Sequence, residues 1–318
     1  MMKKGKKITV LGAGNVGATV AYTLVIAGLA NEIVLIDIKK EKAIGEAMDI
    51  LHGTPFTPDV QIYAGDFKDA AGSDIVVVAA GTGRKPGQSR LDLAQTNIDV
   101  IKEIIPLTVK HAPDAVYIIV SNPVDIITYV VCKISGLPPN QIVGSGTMLD
   151  TARLRTAVAD HVKIPEKSIH TYVLGEHGDS QMVPWSLTSI AGMPMSEYCE
   201  YLCERHGKCG KVELNGIVDD VRTAGAKVIA NKGATFYAVA LAVRKLCDTV
   251  IRDADSVHTV STMLNGEYGI SDVCLSLPFI VNANGIKKLI KVTLTPDEKK
   301  QLVKSADTLK ATIAALKI

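Results

Sequence analysis

The chain has 318 residues, 47% hydrophobic and 21% charged, and its 35 basic and 33 acidic side chains leave a net charge of +2. That composition excludes a disordered chain, and the interspersed charges give no nucleic-acid or membrane footprint. The length suits two domains of ordinary size, and the longest apolar runs, such as 75–80, are strand length and too short to span a bilayer. The six cysteines are scattered, which fits reduced thiols and an expected cytoplasmic location.

The opening MMKKGKK followed by ITVLG has a superficial likeness to a signal peptide. Gly12, Gly14 and Asn15 interrupt its apolar stretch, so the segment reads as a first strand instead. Ile8-Thr9-Val10-Leu11 is a short, largely β-branched run, stopped by Gly12-Ala13-Gly14-Asn15-Val16-Gly17. A mostly apolar helical segment follows to about Leu29, and a second buried strand, Ile33-Val34-Leu35-Ile36, ends on Asp37. Each part has a physical job. Gly12 permits a tight turn, Gly14 lets backbone approach a pyrophosphate, and Gly17 lets helix pack closely on strand. The helix start at Asn15 and Val16 offers free N–H groups and positive dipole to phosphates. Asp37, twenty residues beyond Gly17, can accept hydrogen bonds from ribose hydroxyls and would repel a 2′-phosphate, favouring NAD over NADP. Glycines also mark ordinary turns, but here strand, turn, helix, strand and acid stand in register.

A helix is expected over 39–52, a short strand over 60–64 and a fully buried strand over 75–80. Strands alternating with helices and apolar on both faces argue for a parallel sheet. Gly81-Thr82-Gly83-Arg84-Lys85-Pro86-Gly87-Gln88-Ser89-Arg90 then makes a surface loop at a strand's carboxyl end, where ligands bind in such sheets. Its cations could be a solvated cluster; at this position they suit a mobile lid that faces substrate. A helix over 91–111, bent or broken at Pro106, leads to a strand over 116–120 and to Ser121-Asn122-Pro123-Val124-Asp125. The Asn122 amide could hold a cofactor or substrate oxygen, or simply form a turn before proline. A strand over 141–144 is the sixth and closes the first domain.

Asp150 and Arg153 share a helix face, as an ordinary surface ion pair would. A strand over 171–174 runs into Gly175-Glu176-His177-Gly178-Asp179-Ser180, which leaves a histidine between glycines, open to a ligand. His52, His111, His161, His206 and His258 have no such setting. Cys199, Cys203, His206 and Cys209 cluster within eleven residues, but without paired Cys-x-x-Cys spacing, on what reads as an exposed helix over 196–207, so no metal site is expected. The pattern is helical over 215–253, with a break at Asn231-Lys232-Gly233. Strands over 257–264, 273–281 and 289–294 suggest an antiparallel sheet. A last helix opens on the capping box Thr295-Pro296-Asp297-Glu298 and buries Leu302, Ala306, Leu309, Ile313 and Leu316.

Over nearly its whole length the chain resembles the lactate/malate dehydrogenase family. The resemblance rests on GAGNVG at 12–17, RKPGQSRLDL at 84–93, SNPVD at 121–125, GSGTMLDTARLR at 144–155, GEHGDS at 175–180 and NKGATFYA at 231–238. It implies an α/β fold: a Rossmann domain with a doubly wound parallel sheet over 1–145, an α+β substrate-binding domain over 146–318, and assembly as a homotetramer. It further implies that His177 exchanges the proton, that Asp150 orients it, that Arg153 grips a substrate carboxylate and that Arg90 polarises the carbonyl. Asn122 and Thr235 match other pocket positions, and Gly81 and Asn122 join Gly12, Gly14, Asn15, Val16, Gly17 and Asp37 at the NAD site.

Within the family, Glu176, Asp179, Ser180 and Thr235 resemble the lactate branch, with pyruvate and lactate as substrates. Arg84 departs from it. Malate members commonly carry arginine there, where a second guanidinium would pair the extra carboxylate of oxaloacetate. Arg155 and His170 match a pair that binds fructose 1,6-bisphosphate at a subunit interface in many bacterial members, so an allosteric effector is expected there. An ordinary interface pair is the plainer alternative.

Overall fold

A computed structural model describes residues 5–83, 89–201 and 211–318. The first half runs β1 (Lys7–Leu11), α1 (Asn15–Ala27), β2 (Glu32–Ile36), α2 (Lys40–His52), β3 (Gln61–Ala64), β4 (Ile75–Val78), α3 (Arg90–Val109), β5 (Val116–Ile119), α4 (Val124–Ile134) and β6 (Ile142–Gly144). These six strands are parallel and lie in the order β3-β2-β1-β4-β5-β6. Every residue of β4 and β5 is buried, because helices cover both faces of the sheet. Strand order reverses between β1 and β4, the switch point outside whose carboxyl ends ligands bind in sheets of this kind. The doubly wound parallel architecture read from the sequence is borne out.

The second half runs α5 (Met148–Val162), β7 (Ile169–His170), β8 (Ser189–Ile190), β9 (Met193–Pro194), α6 (Met195–Tyr201), α7 (Lys211–Lys232), α8 (Tyr237–Ile251), β10 (Ser256–Asn265), β11 (Ser271–Asn282), β12 (Gly285–Leu289) and α9 (Pro296–Ala314). β10, β11 and β12 form the expected antiparallel meander. The meander does not stand apart: β10 pairs with β6 at Ser261 and Gly144, which extends the sheet to nine strands among the described residues. Gly144 permits this approach, since a Cβ there would lie 2.4 Å from Thr128 Oγ1 and 2.9 Å from Ser261 Cβ. β7, β8 and β9 make a small sheet over a second apolar cluster that includes Leu154, Val158, Ile169 and Val221.

α3 covers most of the expected 91–111 and runs through Pro106 to Val109 without a break. Three local readings need correction. The third meander strand is Gly285–Leu289, because Ala283 and Asn284 make the whole turn and Gly285 (φ 85°) already pairs with Asn282 on the return. Regular pairing near the histidine loop falls at Ile169–His170, and the following chain makes only isolated bridges, Leu174 to Met182 and Gly175 to Ser276. α6 is not simply exposed, as Cys199 is buried against the second cluster. Cys203, His206 and Cys209 lie outside the described residues. The capping box of α9 forms as read, with Glu298 N–H donating to Thr295 Oγ1 at 3.3 Å and Thr295 N–H to Glu298 Oε2 at 2.9 Å. Leu302, Ala306 and Leu309 are buried beneath it, while Ile313 and Leu316 are only partly covered.

Candidate active site

The glycine turn after β1 is built as its spacing requires. Gly12 has φ 97°, its N–H donates to Ile36 O at 2.7 Å, and a Cβ there would lie 2.7 Å from Ala80 N. A Cβ on Gly17 would sit 1.8 Å from Gly12 O, so only glycine lets α1 dock on the turn. Gly14 meets nothing within 4 Å and faces open space beside Asn15 and Val16, the start of α1. A pyrophosphate could fill that space against the free N–H groups. Asp37, at the end of β2, accepts from Ala13 N–H at 2.6 Å and from Lys39 N–H at 2.8 Å. This fixes its carboxylate at the rim of the turn, where a ribose would arrive. The residues present therefore fit a dinucleotide.

Asn97 of α3 went unremarked in the sequence, although an amide among Ala94, Ile98 and Ile101 on a buried face is a signal in itself. Its Oδ1 accepts from Thr82 N–H at 2.8 Å, and its Nδ2 donates to Asn122 O at 2.7 Å. Ser121 Oγ donates to Ala80 O at 2.5 Å. Together they tie the segments after β4 and β5, so that Gly81 and Asn122 flank one crevice. Asn122 is exposed and lines a cleft of about 1120 Å³, as does His177. Other walls are Leu91 and Leu93 of α3, Arg222 of α7 and Thr308 of α9.

His177 is held from three sides. Its Nδ1 lies 2.5 Å from Asp150 Oδ2, which leaves Nε2 as the nitrogen that can exchange a proton with a ligand. Its backbone N–H donates to Asp125 Oδ2 at 2.7 Å. The preceding peptide is anchored to α9, because Glu176 N–H donates to Ser305 Oγ at 2.8 Å and Ser305 is fully buried. Ser180 closes the loop by hydrogen bonding to both Glu176 and Ser305. Asp125 and Ser305 were not picked out in the sequence as site residues. Nothing local distinguishes a carboxylate or hydroxyl that meets its partner only in the fold.

Asp150 and Arg153 are not the surface pair their spacing suggested. Asp150 is 2% exposed, and its Oδ1 takes Arg153 Nη1 at 3.0 Å while its other oxygen holds His177. Burial alone would raise the Asp150 pKa, but His177 and then Arg153 bring it below the usual value. For His177 burial is the largest influence and pulls downward. The Asp150 carboxylate overcomes it, Asp125 adds to the rise and Arg153 opposes it, so the imidazole pKa ends above its ordinary value. Arg153 packs toward Gly225 of α7, where a Cβ would lie 3.6 Å from Nη2.

Other expected residues are less gathered. Thr235 lies half-buried on the turn between α7 and α8 and does not line the cleft. Arg84 lies outside the described residues; Arg90 opens α3, and its side chain is also outside the description. Arg155, on α5, has an enclosed Nε without a hydrogen-bond partner, and His170 is exposed on β7, which packs on α5.

A dinucleotide crevice beside an imidazole that is backed by a carboxylate and a guanidinium defines an oxidoreductase acting on small carbonyl or hydroxyl compounds. Residues 6–144 match the family described as lactate/malate dehydrogenase, NAD binding domain, and residues 147–317 match its alpha/beta C-terminal domain. An L-lactate dehydrogenase of Acetivibrio thermocellus is 50% identical over 315 residues, covering 98% of each chain. L-lactate dehydrogenase 1 of Clostridium acetobutylicum is 49% identical, over 99% of this chain and 100% of its own. A solved structure of the minor L-lactate dehydrogenase of Enterococcus mundtii superposes with a TM-score of 0.94 at 37% identity, covering 98% and 99%. The chain belongs to the lactate/malate dehydrogenase family, and it is an NAD-dependent oxidoreductase of that family.

Proposed function

We propose that this protein catalyses the reversible NADH-dependent reduction of pyruvate to L-lactate. The observation that carries the reading is the His177–Asp150–Arg153 chain of contacts beside the dinucleotide crevice. The bound cofactor supplies the hydride. The chain's own groups do the rest. His177, whose protonated form the Asp150 carboxylate favours, gives its Nε2 proton to the carbonyl oxygen and recovers it in the reverse direction. Asp150 holds the tautomer and balances the imidazolium. Arg153 offers the substrate carboxylate a planar two-pronged partner that lysine cannot copy, and Arg90 stabilises charge developing on the carbonyl oxygen. Asn122 lines the same cleft, and the family resemblance adds Thr235, on the turn between α7 and α8, and Arg84 to the groups that bind substrate. Two relatives at about half identity that bear the lactate name support pyruvate over oxaloacetate.

The same reading assigns the dinucleotide half to 1–145 and the substrate half to 146–318, and it makes the enzyme a cytoplasmic homotetramer. Exposed Tyr22 and Ile26 on α1, and Tyr237 and Leu241 on α8, support self-association, since isolated subunits gain nothing from apolar side chains in water. Arg155, with its enclosed and unpartnered Nε, and the exposed His170 support a bisphosphate effector between subunits. The test follows NADH oxidation with pyruvate or oxaloacetate, with and without fructose 1,6-bisphosphate. Pyruvate should give the higher kcat/KM, and the bisphosphate should lower its KM. Preference for oxaloacetate would reverse the substrate assignment, and Arg84→Gln should then abolish that preference.

A further inference from the structure

The catalytic histidine has a second carboxylate behind it. Asp125 stands in the first turn of α4, on the dinucleotide side of the sheet, 52 residues before His177 in the chain. It is 2% exposed, and its Oδ2 accepts the His177 main-chain N–H at 2.7 Å. Its other oxygen, Oδ1, is enclosed without a hydrogen bond of full geometry, with the Ser261 hydroxyl of β10 beside it. An asparagine would accept the same N–H and would leave no charge in the interior. A buried carboxylate is the costlier choice unless its charge is used.

Building on the proposed reduction, we infer that Asp125 is a positioning residue, an anion that clamps the His177 backbone and, with Asp150, brackets the imidazolium. The two carboxylates come from different elements, α4 and α5, and reach the histidine from different sides. One holds the ring at Nδ1 and the other holds the main chain that carries it. The groups facing His177 are Asp150 and Arg153 of α5, and Asp125 of α4. Those facing Asp125 are His177 and Glu176 of the loop, and the Cys274 thiol of β11. Burial, opposed by Ser261 and His177, pushes the Asp125 carboxyl up to about 6, so it is mainly ionised at neutral pH. A carboxyl raised by folding adds most stability in acid and loses it as pH rises through about 6. The neutral Asp125→Asn variant is therefore expected to fold at pH 7.5.

The experiment measures kcat/KM for pyruvate against pH in wild type, Asp125→Asn and Asp125→Glu. In Asp125→Asn the alkaline limb should move to lower pH and kcat should fall about tenfold, with KM for NADH little changed. Asp125→Glu keeps the charge but changes its reach, so its limb should stay while kcat falls. An unmoved limb in the asparagine variant, or an unchanged kcat in the glutamate variant, would show that Asp125 serves α4 alone and would overturn the inference. Wild type and His177→Asn separate this result from the parent reading. If wild type reduces pyruvate and His177→Asn does not, failure of the Asp125 arms counts against Asp125 only.

Discussion

The parallel and antiparallel halves of this sheet carry their chemistry differently. In the parallel half, turn, helix start and acid lie within residues 12–37, and their geometry follows from local backbone needs at Gly12, Gly17 and Asp37. The second half contributes single side chains from separated elements: Asp150 and Arg153 from α5, His177 from a loop and Ser305 from α9. Even there the parallel half reaches in, through Asp125 of α4. A contiguous ligand motif can be specified by φ/ψ and packing at a few glycines. A proton-transfer site needs groups of opposite charge brought to one point from afar, and only tertiary contacts do that.

The largest expected effect tests the assembled half. Asp150→Asn removes the charge that serves both His177 and Arg153, so kcat/KM for pyruvate should fall about 10³-fold. Because Asp150 is the chief group raising the His177 pKa, the alkaline limb of the residual activity should also move to lower pH. Reduction needs the protonated imidazole, so activity is lost as pH rises through that limb. Steady-state rates over a pH series would decide it, and a limb that stays put would show that the carboxylate is not what holds the proton.

The local half should break differently. Gly17→Ala drives a methyl to within 1.8 Å of Gly12 O, a backbone atom that cannot step aside, and should lower stability by about 3 kcal/mol. Gly14→Ala adds its methyl to open space, so the thermal midpoint should hold while Kd for NADH rises about tenfold. Calorimetry and NADH titration of the pair separate the two glycines. Equal loss of stability in both variants would mean that the turn is not divided into a packing glycine and a ligand-facing one.

This division also sets what the sequence could disclose. The glycine turn, Asp37, the buried runs 75–78 and 116–119 and the α9 capping box were legible because their causes are local. His177 could be singled out by its flanking glycines, and Arg153 by resemblance alone. That one carboxylate joins them was hidden, because an aspartate and an arginine three apart look the same on a solvated helix and on a buried one. Asp125 and Ser305 were silent for the same reason, whereas Asn97 could have been found as an amide on the apolar face of α3. The fusion of the meander to β6 depended on Gly144, whose small size matters only once β10 arrives. The third strand was misplaced although Asn284 and Gly285 mark a turn end, because Leu289–Leu294 is as apolar as the strand that forms.

The smallest effect probes the seam between the assembled groups. Gly225 lies inside α7, where glycine costs about 1 kcal/mol relative to alanine, so Gly225→Ala should raise stability by roughly that amount. Its new methyl would rest 3.6 Å from Arg153 Nη2, an ordinary contact that blocks the guanidinium from moving toward α7 without displacing it. If Arg153 must leave Asp150 in part to take a substrate carboxylate, that restriction should raise KM for pyruvate two- to threefold, an estimate of about 0.5 kcal/mol, and leave kcat nearly unchanged. A stabilised variant with an unaltered KM would mean that Arg153 binds substrate from where it already stands, so that the assembled half is as preformed as the glycine turn.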